Sequence, residues 1–191
     1  MQDNQQSDSN AESRANAPRI YVASLADYNA GRLHGRWIDA DQDIDVIRDE
    51  IAAMLAESSE PVAEEWAIHD YENFAELSLS EFEDPEKVAR AAHLIVEHGP
   101  MFAGLLNNFG GLDGLEQAED CMKHGYRGAY NTLADFARES CEDAFSEALE
   151  ALPGFIRHHI DYAGVARALQ LDGTIFTIQC DGRFHVFDAN L

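Results

Sequence analysis

Positive charge is what this chain has least of. Two lysines, Lys87 and Lys123, and eleven arginines face 36 carboxylates over 191 residues, a formal net charge of −23. A field of that sign repels polyanions, which excludes nucleic acid and anionic membrane as partners and points to a basic one. Cysteine is scarce as well. Cys121, Cys141 and Cys180 are an odd count with no pairing rhythm, so no disulfide framework is expected and a reducing cytoplasm is. No stretch approaches the about 20 apolar residues of a membrane span. The opening MQDNQQSDSNAESRANAP lacks both the cationic start and the apolar run of a signal peptide, and residues 1–17 read as a disordered tail. Against these absences stands a hydrophobic content of 46%, that of a folded globular protein.

The carboxylates are unevenly spread. From Asp39 to Glu86 there are 17 acids and one base, Arg48, whereas from Ala151 to the end there are four acids and three arginines. Adaptation to high salt would account for few lysines, but it would distribute acidity more evenly. The acids singled out as a candidate surface are Asp39, Asp41, Asp43, Asp45, Asp49, Glu50, Glu57, Glu60, Glu64, Glu65, Asp70, Glu72, Glu76, Glu81, Glu83, Asp84 and Glu86, followed by Asp113, Glu116, Glu119 and Asp120. Duplex DNA carries one charge per roughly 1.7 Å of axis, so 36 carboxylates match the phosphates of about 60 Å of duplex and the net charge those of about 40 Å. A single ball of this length would be about 40 Å across, and a row of small units would be longer.

The stretch DADQDIDVIRDE, residues 39–50, has an alternative explanation in its spacing. Asp39, Asp41, Asp43, Asp45 and Glu50 fall at positions one, three, five, seven and twelve of an EF-hand loop. Position six, which needs glycine for a sharp turn, is the β-branched Ile44, and no helix precedes the loop. Calcium is therefore not expected. Carboxylates at the start of a helix also stabilise it against the macrodipole, whatever else they do.

Periodicity divides the rest into three. RIYVASL and RLHGRWIDA, separated by ADYNAG, predict a hairpin; Ile44, Ile47, Ile51, Met54 and Leu55 predict a helix; EEWAIHDYE predicts a third strand. This gives an N-terminal α/β unit of three strands and a helix over 18–78. A central helical unit over 79–131 opens with Asp84 as N-cap, Pro85 at the first helical position and Gly99 as stop, and continues through MFAGLLNNF and LEQAEDCMKH. The third unit, 132–191, begins with Thr132 and Asp135 in capping-box spacing, includes a helix capped by Asp161, and ends in a β-hairpin turning at Asp181-Gly182. The fold class is α+β.

No catalytic centre emerges. His158 and His159 are adjacent and would point apart on a helix, Cys121 and His124 have no second ligand pair for zinc, and NNFGGLDG lacks the lysine of a phosphate loop. His69 is a lone strand histidine. No nucleophile elbow occurs, and with so many acids, close carboxylate pairs discriminate nothing. Neither enzyme activity, nor a cofactor, nor a metal is expected.

The segments RIYVASLADYNAGRLHGRWIDA, YRGAYNTLADFA and LPGFIRHHIDYAGVARALQLDGTIFTIQCDGRFHVF occur in this order across residues 18–188. Together they resemble the ArdA antirestriction family. The resemblance implies an elongated chain of three units that imitates the charge and shape of B-form DNA. It would occupy the DNA-binding groove of the methyltransferase core of type I restriction-modification enzymes, on behalf of mobile genetic elements. It also implies a homodimer formed through the third unit, for which Phe155, Ile156, Ile160 and Tyr162 are the apolar candidates. The family's antirestriction motif aligns near residues 148–161, where Arg157, His158 and His159 replace acidity and fit a subunit contact better than phosphate imitation. The competing class is a general acidic adaptor or chaperone for basic DNA-binding proteins.

Overall fold

RIYVAS alternates as a half-buried strand should: Ile20 and Val22 are fully buried, while Arg19 and Tyr21 face the other way. In the computed structural model, which describes residues 16–190, this strand, β1 (Arg19–Ser24), is the middle of an antiparallel sheet. It lies between β2 (Gly35–Asp39) and β3 (Trp66–Glu72), with Val22 opposite Arg36 on one side and Ile68 on the other, and a bulge at Tyr21/Val22 on the β3 side. On the outer face Tyr21 meets Trp37 edge-on at 5.6 Å, and the Arg19 guanidinium lies 4.7 Å from the Trp37 ring. Where a loop was expected, a five-residue helix, α1 (Leu25–Asn29), joins β1 towards β2; Ser24 caps it by accepting from the Asp27 N–H at 3.3 Å.

Helix α2 (Ile44–Ala56) has Asp43 as its N-cap and buries Ile47, Ile51 and Met54 at helical spacing, packed on β1 and β2. Each such burial is worth roughly 1.5–3 kcal/mol, so the helix is held by this stripe more than by its acidic first turn. Helices α3 (Pro85–His98) and α4 (Pro100–Asn108) follow, broken apart at Gly99, whose φ of +75° suits glycine, and then a 3₁₀ turn (Gly111–Gly114). Asp84, Pro85 and Gly99 take the positions expected for them.

Chain contacts divide the molecule into two units, with the boundary between Leu115 and Glu116. The first contains everything above. Of the expected middle segment, 79–131, the part beyond the boundary belongs to the second unit. There α5 (Leu115–His124) leads into a strand that no sequence pattern had indicated, β4 (Tyr126–Tyr130). It is followed by α6 (Leu133–Ala151), α7 (Gly154–Arg157), α8 (Tyr162–Leu171), β5 (Ile175–Cys180) and β6 (Arg183–Asp188). The sheet is antiparallel, in the order β4-β6-β5. The β5–β6 turn is Asp181-Gly182, with φ of 49° and 72°, the two positive values of a type I′ hairpin. Phe136, Ile175 and Val186 form the core here, ringed by Tyr130, Leu133 and Leu169, and α6 packs on α8. Helix α6 starts with Thr132 accepting from the Asp135 N–H at 3.2 Å, and is kinked at Phe145 (φ −132°, ψ 28°).

Mixed α/β content with two three-stranded antiparallel sheets agrees with the expected class. The expected tail over 1–17 lies outside the described residues except for Asn16 and Ala17. Among the described residues no helix is long and apolar enough to cross a membrane.

Candidate acidic interface

The DADQDIDVIRDE stretch is divided among three structural tasks. Asp39 ends β2, Asp43 caps α2 by accepting from the Asp45 N–H at 2.9 Å, and Ile44 opens the helix that carries Asp45, Asp49 and Glu50. Asp41 accepts from or pairs with His93 Nδ1 at 3.0 Å, Glu50 accepts from Gln42 Nε2 at 3.0 Å, and Asp45 lies 3.4 Å from Arg48. The carboxylates thus turn outward to separate neighbours. Among the described residues no three His, Cys, Asp or Glu side chains come together as metal ligands.

None of the 21 carboxylates singled out from the sequence is buried: 16 are exposed, and Asp41, Glu50, Glu60, Glu83 and Glu119 are half-buried. They fall into two electrostatic kinds. Glu72 is tied to Arg19 at 2.6 Å, Glu57 to Arg36 at 2.7 Å, Asp113 to Lys87 at 2.9 Å, Glu86 to Arg48 at 3.4 Å, and Glu60 to Arg32. The Asp113 hydrogen bond raises the Lys87 pKa, and the Glu60 hydrogen bond raises that of Arg32. These pairs consume charge locally. Asp39, Asp49, Glu64, Glu65, Glu76 and Glu81, by contrast, pair with no lysine or arginine among the described residues. Their fields extend outward unneutralised. Others serve the backbone or a neighbour: Asp84 caps α3, Asp70 accepts from the Tyr71 N–H, Glu83 accepts from the Ser80 hydroxyl at 2.7 Å, and Asp120 lies 3.6 Å from His124. Glu116 and Glu119 share α5 with Asp120.

Helix α6 adds acids that the sequence reading passed over. Glu139, Glu142, Asp143, Glu147 and Glu150 are all exposed, and Arg138 is the helix's one cation. Glu139 and Asp143 lie four residues apart before the kink, roughly 6 Å along the axis, and Glu147 follows the kink at Phe145. Like charges at four-residue spacing destabilise a helix slightly, so the Glu139 and Asp143 pair is not explained by helix stability. The signal is in the sequence, as six acids to one base over residues 133–151, though sparser than the run from Asp39 to Glu86.

The apolar contact candidates lie together in the second unit. Phe155 and Ile156, on α7, are 73% and 43% exposed; Ile160 and Tyr162 are half-buried at the entry to α8, where Arg138 lies 5.4 Å from the Tyr162 ring. Ile160 and Tyr162 also line a cavity of about 540 Å³ with Arg138, Arg157 and His158. Phe145, at the kink in α6, is 61% exposed, a further apolar side chain that helical spacing alone did not single out.

The family model described as "Antirestriction protein (ArdA)" matches residues 20–182, from β1 to the turn of the C-terminal hairpin. The chain belongs to the ArdA antirestriction family. No individual curated protein matches it. Membership supports an antirestriction function, and the structure explains what several ArdA-like residues do for the fold. A Cβ on Gly35 would lie 2.3 Å from the Val22 carbonyl oxygen, so only glycine allows β2 to start against β1, and Gly31 turns the chain at φ +78°. Trp37 supplies the outer face on which Tyr21 and Arg19 pack. In the second unit, Asp161 caps α8 by accepting from the Gly164 N–H at 2.9 Å. These ArdA-like signatures are framework; the carboxylates lie between and around them.

Proposed function

We propose that this ArdA-family chain inhibits type I restriction-modification enzymes by presenting carboxylates in place of DNA phosphates to the groove of the methyltransferase core. The observation that carries this is the outward, unneutralised set, Asp39, Asp49, Glu64, Glu65, Glu76 and Glu81, with the α6 acids Glu139, Asp143 and Glu147. A stability role explains paired or capping acids; it does not explain exposed acids that meet no lysine or arginine among the described residues. A DNA-binding groove supplies the missing lysines and arginines, and displacement of its bound anions contributes further to binding.

We further propose a homodimer that uses the second unit. Electrostatics sets the choice: two chains of −23 repel, and the segment from Ala151 onward, with four acids and three arginines, is the least charged place to meet. Phe155, Ile156, Ile160 and Tyr162 supply the apolar area, and rising salt strengthens the association.

The direct test is a plasmid or phage restriction assay in cells carrying defined type I systems, with and without the protein, followed by competition with DNA for the purified enzyme. Relief of restriction and competition that weakens with salt are expected. Equal competition against unrelated DNA-binding proteins would instead identify a general acidic adaptor.

A further inference from the structure

One carboxylate in the described chain faces no solvent. Asp27 is 1% exposed, on the short helix α1, and its side chain is the hub of a polar cluster. The Ser58 hydroxyl donates to Oδ2, the Ser59 hydroxyl to Oδ1 at 3.3 Å, and Arg32 donates to Oδ1 from Nε at 3.4 Å and Nη2 at 3.3 Å. The same Arg32 nitrogen reaches Glu60, whose own N–H donates to the Ser58 oxygen at 3.0 Å. On either side, Arg36 donates to Glu57 at 2.7 Å and the Leu25 N–H donates to the Glu65 carbonyl at 3.0 Å.

The segment held in this way, residues 57–65, has neither helix nor strand, and its Pro61 and Val62 are exposed. No large apolar side chain anchors it, so its course is set by polar ties to residues 25–36. It carries Glu57, Glu60, Glu64 and Glu65, two of them among the unneutralised acids. We infer that Asp27 is a positioning residue for this part of the acidic face: it fixes the backbone from which those four carboxylates project, without meeting the partner itself. The consequence for inhibition rests on the proposed phosphate imitation; the consequence for the segment's order does not.

Hydrogen bonding, with Ser58 the largest contributor, holds the Asp27 carboxyl below its ordinary pKa despite burial, so it is an acceptor at both oxygens at neutral pH. A carboxamide cannot replace it. With its oxygen toward Arg32 and Ser59, its NH2 faces Ser58, whose oxygen already accepts from the Glu60 N–H and whose proton then loses its acceptor.

Hydrogen exchange of the full chain tests the ordering directly, on Asp27→Asn and, as a milder variant that keeps the carboxylate, Ser58→Ala. Exchange across residues 57–65 is expected to rise about tenfold in both, while β1 and β3 keep their protection. In competition against a type I enzyme and DNA, the same variants are expected to weaken inhibition about tenfold, more than neutralising an exposed acid does. Unchanged exchange at 57–65 in both variants overturns the inference, as does an equal rise across β1 and β3, which would mean general loosening. Raised exchange with wild-type inhibition overturns the link to the acidic face. If the wild-type chain does not inhibit while the exchange pattern holds, phosphate imitation fails and the positioning role stands.

Discussion

Between residues 16 and 115 the chain carries 20 acids against six lysines and arginines, while the last 41 residues, 151–191, carry four acids against three arginines. Both units bury some phenylalanines and expose others: Phe74 and Phe102 are buried and Phe82 is exposed in the first, Phe136 and Phe187 are buried and Phe145 and Phe155 are exposed in the second. Of the exposed ones, Phe155 is the one that lies in the nearly neutral last 41 residues. Under the proposed function the acidic region would serve a basic groove and the nearly neutral one a second copy, which would separate two kinds of recognition that otherwise conflict.

The sharpest way to break this contrast is to exchange a phenylalanine of each kind. Phe102→Ala, in the buried α4 stripe, is expected to destabilise the first unit by about 3–5 kcal/mol, read from denaturant unfolding. Phe155→Ala is expected to leave the stability of the monomer nearly unchanged and to lower the dimer fraction in sedimentation. Equal losses of stability from both would show that the exposed phenylalanine is core in solution.

Charge is next in size. Glu64, Glu65, Glu76 and Glu81 converted together to glutamine are expected to weaken inhibition by about 1–4 kcal/mol, the sum of four exposed pairs at roughly 0.2–1 kcal/mol each, and to flatten its salt dependence. The same conversion of Glu57, Glu72 and Asp113, each already beside its own cation, is expected to do less.

A smaller effect separates the units by pH. His185 is held below its ordinary pKa, first by burial and then by Arg183, with Asp181 opposing; the Tyr126 hydroxyl lies 2.9 Å from its Nδ1. The unfolded chain therefore binds the proton more readily. Its contribution to stability is complete above the ordinary histidine pKa and declines as pH falls from there through the lowered value. The second unit is expected to loosen before the first on mild acidification, followed by hydrogen exchange at β4 and β6, and His185→Phe is expected to remove that loss. In the first unit, Asp27 acts at lower pH: its pKa is also depressed, so its contribution is complete above the ordinary carboxylate pKa and declines as pH falls from there through the lowered value. Cys121, pushed up to about 11 chiefly by burial, stays a thiol throughout and adds nothing to this window.

Much of the fold was legible because single residues announce it. Asp84, Thr132 and Asp161 all cap the helices expected of them, and Asp181-Gly182 makes the expected turn. The strand β4 was not legible: it has five residues, includes Gly128 at φ +114°, and owes its existence to pairing with β6, more than fifty residues away. Helix α1 is too short for periodicity to reveal. The kink at Phe145 leaves no mark in helical spacing. For the acidic surface, exposure followed from composition, but the division into neutralised and free acids did not. It depends on Arg19, Arg32 and Arg36 reaching acids 21 to 53 residues away across the fold. Asp27 looked like one acid among 36, and only packing sets it apart.

The smallest expected effect belongs to a single exposed acid. Asp43→Asn retains a good N-cap and removes one charge, so it is expected to change inhibition by a few tenths to about 1 kcal/mol.

Whether the carboxylates act together as substitutes for phosphates is tested most directly by titrating wild type, Asp43→Asn and the Glu64, Glu65, Glu76 and Glu81 glutamine variant against a type I enzyme and DNA over a range of salt. Distributed imitation predicts a steep salt dependence for wild type, a nearly identical curve for the single variant, and a weaker, flatter one for the cluster. Complete loss of inhibition from one exposed acid with folding intact, or inhibition by wild type that does not vary with salt, would contradict it.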